Sequence, residues 1–200
     1  ENLKAQIRGM RQAKRNAGDA ISMLQTAEGG MNEISNIIIR LRELSVQAAS
    51  DTVGTTERGF SDIEFQSLKE EIDRISKSTE FNGIKLLDGT GGKLEFQVGI
   101  KNDPILDRLQ YDGSGADASL KSLGLELDAV STKEGAQNAL KKLDDALVQI
   151  NGVRANFGAL QNRLQSTQNN LEISDENLSA ANSRIRDVDV ASETADMTKN

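Results

Sequence analysis

The chain has 200 residues, a formal net charge of −7 and a sequence pI of about 4.8. It contains neither cysteine nor histidine, which excludes structural disulfides and Cys/His zinc sites and removes the thiol nucleophile and the commonest general base. The acidic balance argues against a nucleic-acid surface, and no apolar run approaches the roughly 20 residues that span a bilayer. Aromatic residues make up only 3% of the chain, so an elongated body with a thin aliphatic core is expected rather than a compact globule. The single proline, Pro104, leaves room for very long helices, because proline disrupts a helix interior. Charged residues reach 28% with both signs interspersed, the composition of solvated helix faces. The chain opens at Glu1 within a helical pattern and without a visible signal peptide, and it reads as a piece of a longer protein.

From Glu1 to about Ala49, Leu3, Ile7, Met10, Ala17, Ile21 and Leu24 recur at helical spacing, and the stripe continues through Met31, Ile34, Ile38, Leu41 and Leu44. That pattern predicts an amphipathic helix of about 75 Å at about 1.5 Å per residue. The pair Gly29–Gly30 predicts a bend in it. Residues 50–56, Ser-Asp-Thr-Val-Gly-Thr-Thr, read as a loop. A second helix is expected from about Glu57 to Ser78, with Phe60, Ile63, Leu68, Ile72 and Ile75 as its inward stripe, and Asn82–Gly83 marks a turn after it.

Between Ile84 and Val130 the character changes. Leu94, Phe96, Val98 and Ile100 alternate with Glu95, Gln97 and Gly99, the period of a half-buried strand. Residues 84–87 are a candidate partner strand, residues 111–115 read as a surface loop, and residues 120–125 carry mixed signals that assign no element. In the last segment Ser131 and Glu134 fit a capping box. Ala136, Leu143, Ile150, Phe157, Leu164, Leu171, Leu178 and Ile185 then fall every seven residues, flanked by Ala139, Ala146, Val153, Leu160, Thr167, Ser174, Ala181 and Val188. Such sustained heptads specify a helix of about 100 Å packed in a coiled-coil manner.

The fold class expected is therefore mainly α: a rod-like bundle of long coiled-coil-like helices with a small β-hairpin region. Residues 1–83 form the N-terminal two-helix part, residues 84–130 the β-hairpin and a short variable loop region, and residues 131–200 the C-terminal long helix. The simplest packing sets the first and last helices antiparallel, with Leu24 and Ile38 facing Leu143, Ile150, Phe157, Leu164, Leu171, Leu178 and Ile185 as the helix-packing core.

Several stretches resemble one family. Gln25-Thr26-Ala27-Glu28-Gly29 and Arg40-Leu41-Arg42-Glu43-Leu44 resemble motifs of the N-terminal half of bacterial flagellins. Glu71-Ile72-Asp73-Arg74, leading to Phe81-Asn82-Gly83-Ile84-Lys85-Leu86-Leu87-Asp88-Gly89, resembles a third, and Phe96-Gln97-Val98-Gly99 a fourth. In the C-terminal half, residues 153–164 and 176–189 are similar to the family's "RAxLGAxQNR" and "ENLSAAxSRIRDxD" stretches. The resemblance covers residues 1–100 and 120–200, in the family's order.

The resemblance implies a structural subunit, with no enzymatic activity and no cofactor, that polymerises with copies of itself into the extracellular flagellar filament used for swimming. It further implies passage through the flagellum-specific export channel without a cleaved signal, and partners in an export chaperone and a filament cap. It implies terminal segments before Glu1 and after Asn200 that line the filament, and a short middle, residues 101–121, with little or no outer domain. A host Toll-like receptor senses many flagellins through this conserved helical region, and the matching positions are Arg40, Leu44 and Glu64. The alternative for those side chains is assembly contact or solvent for Arg40 and Glu64, and core for Leu44.

Other readings of the chain as a whole are a hook–filament junction protein, which shares the helical ends, and a secreted helical adhesin or receptor ligand. Asp187 and Asp189, two apart on a helix, do not face each other and read as surface charges rather than a metal pair. The glycine-rich stretch Gly89–Lys93 lacks phosphate-loop spacing and reads as a turn.

Overall fold

The computed structural model describes the backbone of residues 2–199 and the side chains of residues 2–185. Three α-helices dominate the described residues: α1 (Asn2–Ala48), α2 (Thr55–Ser78) and α3 (Lys133–Lys199). Between α2 and α3 lie β1 (Glu80–Phe81), β2 (Ile84–Lys85), β3 (Lys93–Gln97) and β4 (Arg108–Asp112), followed by a 3-10 turn at Gly113–Ala116. β1 pairs antiparallel with β2, Glu80 opposite Lys85 and Phe81 opposite Ile84, and β3 pairs with β4.

Contacts gather the chain into two compact units that draw on all parts of the sequence. One comprises Glu1–Ile21, Glu95–Gln110 and Gln161–Asn200; the other comprises Ser22–Leu94 and Tyr111–Leu160. In the second unit α1 and α3 run antiparallel, as Arg42–Asp144 (2.7 Å) and Glu28–Arg154 (3.8 Å) record. Leu24, Ile34 and Ile38 of α1, Phe65 and Ile72 of α2, and Leu143, Ile150 and Phe157 of α3 are all buried there. Tyr111 also enters this core, its ring centroid 5.7 Å from that of Phe157. Burial pushes its phenol pKa up to about 12. The loop expected at residues 111–115 therefore begins with the end of a strand and a core aromatic.

In the first unit α1 and α3 are again antiparallel, joined by Arg11–Asp175 (2.9 Å) and Lys14–Glu172 (2.8 Å). Its core is thinner: Ile7, Ala13, Ala17 and Ala20 of α1, Val98 and Leu109 of the β3–β4 region, and Leu164 of α3. The heptad row of α3 is fully buried through Leu164, half-buried at Leu171 and Leu178, and exposed (57%) at Ile185. Ile185 is thus not a core residue here. Ser179 and Asn182 already line a groove with Lys4 and Ile7, so the described part of α1 has no turn left to cover the next heptad position. Val188, Asp187 and Asp189 lie outside the described side chains.

Local chemistry explains several boundaries. Asn82 (φ 50°) and Gly83 (φ 80°) both take left-handed backbone, the requirement of a two-residue type I′ hairpin. That turn sends Ile84–Lys85 back onto Glu80–Phe81, so β2 is the partner of β1 and not of the alternating strand. The alternating strand finds β4 instead. α3 starts one residue later than the capping-box reading: Thr132 Oγ1 accepts from the Gly135 amide at 3.0 Å, and Ser131 takes no part in it. Arg58 satisfies carbonyls left open where α1 ends, its Nε donating to Ala48 O and its Nη2 to Ser50 O, each at 2.8 Å.

No break interrupts α1 at Gly29–Gly30. A Cβ on Gly30 would lie 2.7 Å from Leu87 Cδ1 and 2.8 Å from Thr79 Oγ1, whereas one on Gly29 would meet nothing within 4 Å. The glycine the helix needs is Gly30, and it is there to admit Leu87.

Candidate functional surface

In the unit formed by Ser22–Leu94 and Tyr111–Leu160, an exposed ion pair joins α1 to α2. Arg40 donates from Nε to Glu64 Oε1 across the two helices at 2.8 Å, and from Nη1 to Glu43 Oε2 within α1 at 2.9 Å. These contacts raise the guanidinium pKa, the hydrogen bond to Glu64 first and that to Glu43 second. Both ends of the pair are about half-exposed, so water screens it and it adds little to folding. What it does is hold a planar five-donor group in one orientation at the surface.

The structure places the three residues singled out in the sequence differently. Arg40 and Glu64 meet at the surface, but Leu44 is buried at 2% exposure in the helix-packing core. It lies on the inward side with Leu41 and Ser45, and an outside partner has no access to it. The apolar groups that do reach solvent are Ile39 and Val46 on α1 and Phe60 (67% exposed) and Ile63 (66%) on α2.

Those last two were expected to point inward. The stripe that α2 buries is Phe65, Ile72 and Ile75, with Ser61, Lys69 and Ser76 among them. At about 3.6 residues per turn, the nine residues from Ile63 to Ile72 are two and a half turns, so the two side chains leave opposite sides of the helix. The mixed spacing left both faces apolar, and tertiary packing chose the one carrying Phe65.

Sequence reasoning missed Lys69. It sits one turn after Phe65 on the buried face, only 4% exposed, and its Nζ donates to Asp128 O (2.7 Å), Glu126 O (3.0 Å) and Gln66 Oε1 (3.1 Å). Burial lowers its pKa, opposed chiefly by the charges of Asp128 and Asp62. Asp62 Oδ1 also accepts from the Val130 amide at 2.7 Å. Together these side chains pin the connector before α3 onto α2. The only signal for this in the sequence is the helical spacing of Lys69 from Phe65 and Ile72.

Among the described residues no group of three or more His, Cys, Asp or Glu is placed to hold a metal ion, and no helix is long and apolar enough to cross a membrane. Apart from the buried cluster around Lys69 and Asp128, the ion pairs across and along the helices of the described residues are exposed to solvent.

Comparison with known proteins agrees with this arrangement. Residues 1–91 match the family model of the bacterial flagellin N-terminal helical region, and residues 140–200 match that of the C-terminal helical region. The chain is 41% identical over 199 residues to a flagellin of Halalkalibacterium halodurans, the whole chain aligning with 72% of that protein. It is 37% identical over 212 residues to the flagellar filament 30.7 kDa core protein of Treponema maltophilum, of which it covers 74%. Among solved structures, Bacillus cereus flagellin superposes with a TM-score of 0.69 at 37% identity, covering 78% of this chain and 88% of that one.

Proposed function

The chain belongs to the bacterial flagellins, structural subunits of the extracellular flagellar filament and not enzymes, and on that premise we propose that the outer α1–α2 face around Arg40 and Glu64 is the surface by which a host Toll-like receptor senses it. The observation that carries this reading is the Arg40–Glu64 pair itself. It holds a guanidinium on Glu64, with exposed Ile39 next to Arg40 in α1 and exposed Phe60 and Ile63 within about one turn of Glu64 in α2, the combination of a held arginine and apolar side chains from which binding hot spots are built. Leu44 acts from behind: by filling the core under the face it keeps α1 in place, and it makes no contact with the receptor.

The experiment is a binding assay with the receptor ectodomain and two single variants, Arg40→Ala and Glu64→Ala. Each should weaken binding by about tenfold or more, with folding unaltered by circular dichroism. Unchanged affinity in both variants would remove the face from consideration. By the same membership we propose that the full-length form is delivered by an export chaperone, leaves through the flagellar export channel and is placed beneath a filament cap. Pull-down of the full-length chain with its cognate chaperone, and secretion that stops when the export apparatus is deleted, are the checks.

A further inference from the structure

We propose that Asn82, at the tip of the β1–β2 hairpin, is a site of spontaneous deamidation: the Gly83 amide nitrogen displaces ammonia from the Asn82 side chain, and water then leaves aspartate or isoaspartate in the turn. The inference goes beyond sensing and concerns how the chain changes with age.

Four dipeptides of the sequence belong to the class that reacts in this way: Asn82–Gly83, Asp88–Gly89, Asp112–Gly113 and Asn151–Gly152. They share a glycine, which with no Cβ lets its nitrogen approach the preceding side chain. The fold separates them. Asn151 and Gly152 are both exposed, but they lie inside α3, where the Gly152 nitrogen is engaged in the helix ladder and the backbone is fixed. Asp88 Oδ1 accepts from the Thr90 amide (2.9 Å) and hydroxyl (2.6 Å), and Asp112 Oδ1 from the Ser114 amide (3.1 Å) and hydroxyl (2.5 Å). These bonds fix each carboxylate in a turn with the residue two positions on. The Gly113 nitrogen is itself engaged, donating to Gly92 O at 2.7 Å.

Asn82 has none of these restraints. It and Gly83 are exposed. Among the described residues no hydrogen bond involves the Asn82 carboxamide, and no turn or loop bond between backbone groups uses the Gly83 amide. A Cβ on Gly83 would meet nothing within 4 Å, so the tip has room for the ring that must form. The strands behind it are two residues each, and so short a hairpin opens readily at its tip.

The reaction balances with water alone. The Gly83 nitrogen gives its proton to solvent and bonds to Asn82 Cγ. The Cγ–Nδ2 bond breaks, and Nδ2 takes a proton from solvent and leaves as ammonia. Water then adds to one carbonyl of the cyclic imide. Opening at Cγ leaves aspartate, and opening at the backbone carbonyl leaves isoaspartate, with one more methylene in the main chain. No atom is oxidised or reduced, and the loss of ammonia makes the change one-way. The added methylene does not fit a two-residue turn, so the pairing of Phe81 with Ile84 is disturbed first. The chain leads directly on to Leu86 and Leu87, both buried, and Leu87 is the residue that Gly30 of α1 admits. A change at an exposed tip therefore reaches the core.

Cleavage after lysine and arginine places Asn82 in the peptide of residues 78–85 and Asn151 in that of residues 143–154. The folded full-length chain is kept in mildly alkaline buffer, sampled over time and digested. Mass spectrometry follows deamidation, and protein L-isoaspartyl methyltransferase with a labelled methyl donor reports isoaspartate. The peptide 78–85 should deamidate about tenfold or more faster than 143–154 and take up the label. In denaturant the two rates should converge, since each asparagine precedes glycine and follows a bulky apolar residue, Phe81 or Ile150. Asn82→Gly, which a type I′ turn accepts, should remove the label from 78–85 and keep the melting temperature steady while that of the parent falls. Equal rates in the folded chain, no isoaspartate in 78–85, or a difference that persists in denaturant would overturn the site. Equal loss of melting temperature in parent and variant would overturn its link to the core.

Discussion

Asp103 illustrates how a single carboxylate decides local order in this protein. Its Oδ1 accepts two backbone amides in the β3–β4 loop, and those bonds, Leu106 first and Ile105 next, hold its pKa below the ordinary carboxylate value. A depressed folded-state pKa means a contribution that is present above the ordinary value and is lost as pH falls through the folded one. The amide resonances of Ile105 and Leu106 are therefore expected to shift with a midpoint below that of an unperturbed aspartate, and Asp103→Asn should remove that titration. Nuclear magnetic resonance spectra recorded from neutral pH into acid provide the check. A midpoint at or above the ordinary value, or one that survives the substitution, would show that the carboxylate does not order the loop. Lys69 makes the opposite case: a cation brought inside because three oxygen acceptors await it, with its aliphatic stem along the buried face of α2.

Among the elements, α1 is informative because its two adjacent glycines have different causes. Replacing glycine by alanine in an exposed helix interior stabilises by about 0.8–1.0 kcal/mol, the propensity difference between them. Gly29→Ala should show this gain, since nothing lies within 4 Å of the added methyl. Gly30→Ala should lose stability despite the same propensity gain. Its methyl would press on Leu87 Cδ1, which is fully buried, and on Thr79 Oγ1, which is tied to Ile75 O at 2.7 Å. Chemical denaturation of the two variants beside the parent measures the sign of each, and equal gains in both would refute the close-approach account. The long helices themselves were legible in the sequence, since sustained heptads and a matching stripe admit few other solutions. The face of α2 was not, because Phe60 and Ile63 form as good a local stripe as Phe65 and Ile72. Strand partners were not legible either: the Asn82–Gly83 turn identified a hairpin, but which runs pair depends on the number of residues between them.

Across the whole molecule, the core is uneven. In the stretch of α1 that belongs to the unit with Gln161–Asn200, the buried apolar side chains are Ile7 and three alanines. In residues 22–48 they include Leu24, Met31, Ile34, Ile38 and Leu41. Burial scales with apolar area, so a continuous helix should be held much less firmly over its first 21 residues. Hydrogen exchange on the isolated chain should show protection factors at least about tenfold lower for residues 5–20 than for residues 30–44. Uniform protection along α1 would contradict the reading.

The sequence by itself determined that the chain is built of long helices without disulfides or Cys/His zinc sites, because periodicity, a single proline and the absence of Cys and His act locally and independently of partners. It also carried the family, since its motifs stand in the order found in bacterial flagellins. Of the three surface residues it suggested, it could not separate Arg40 and Glu64, which meet across two helices, from Leu44, which is buried beneath them. Tertiary structure alone decided that, along with the burial of Lys69, the exposure of Ile185 and the orientation of α2. Each of these depends on which neighbouring element covers a given side of a helix. Spacing along one helix repeats on every side of it, whereas the covering element is chosen by the packing of the whole.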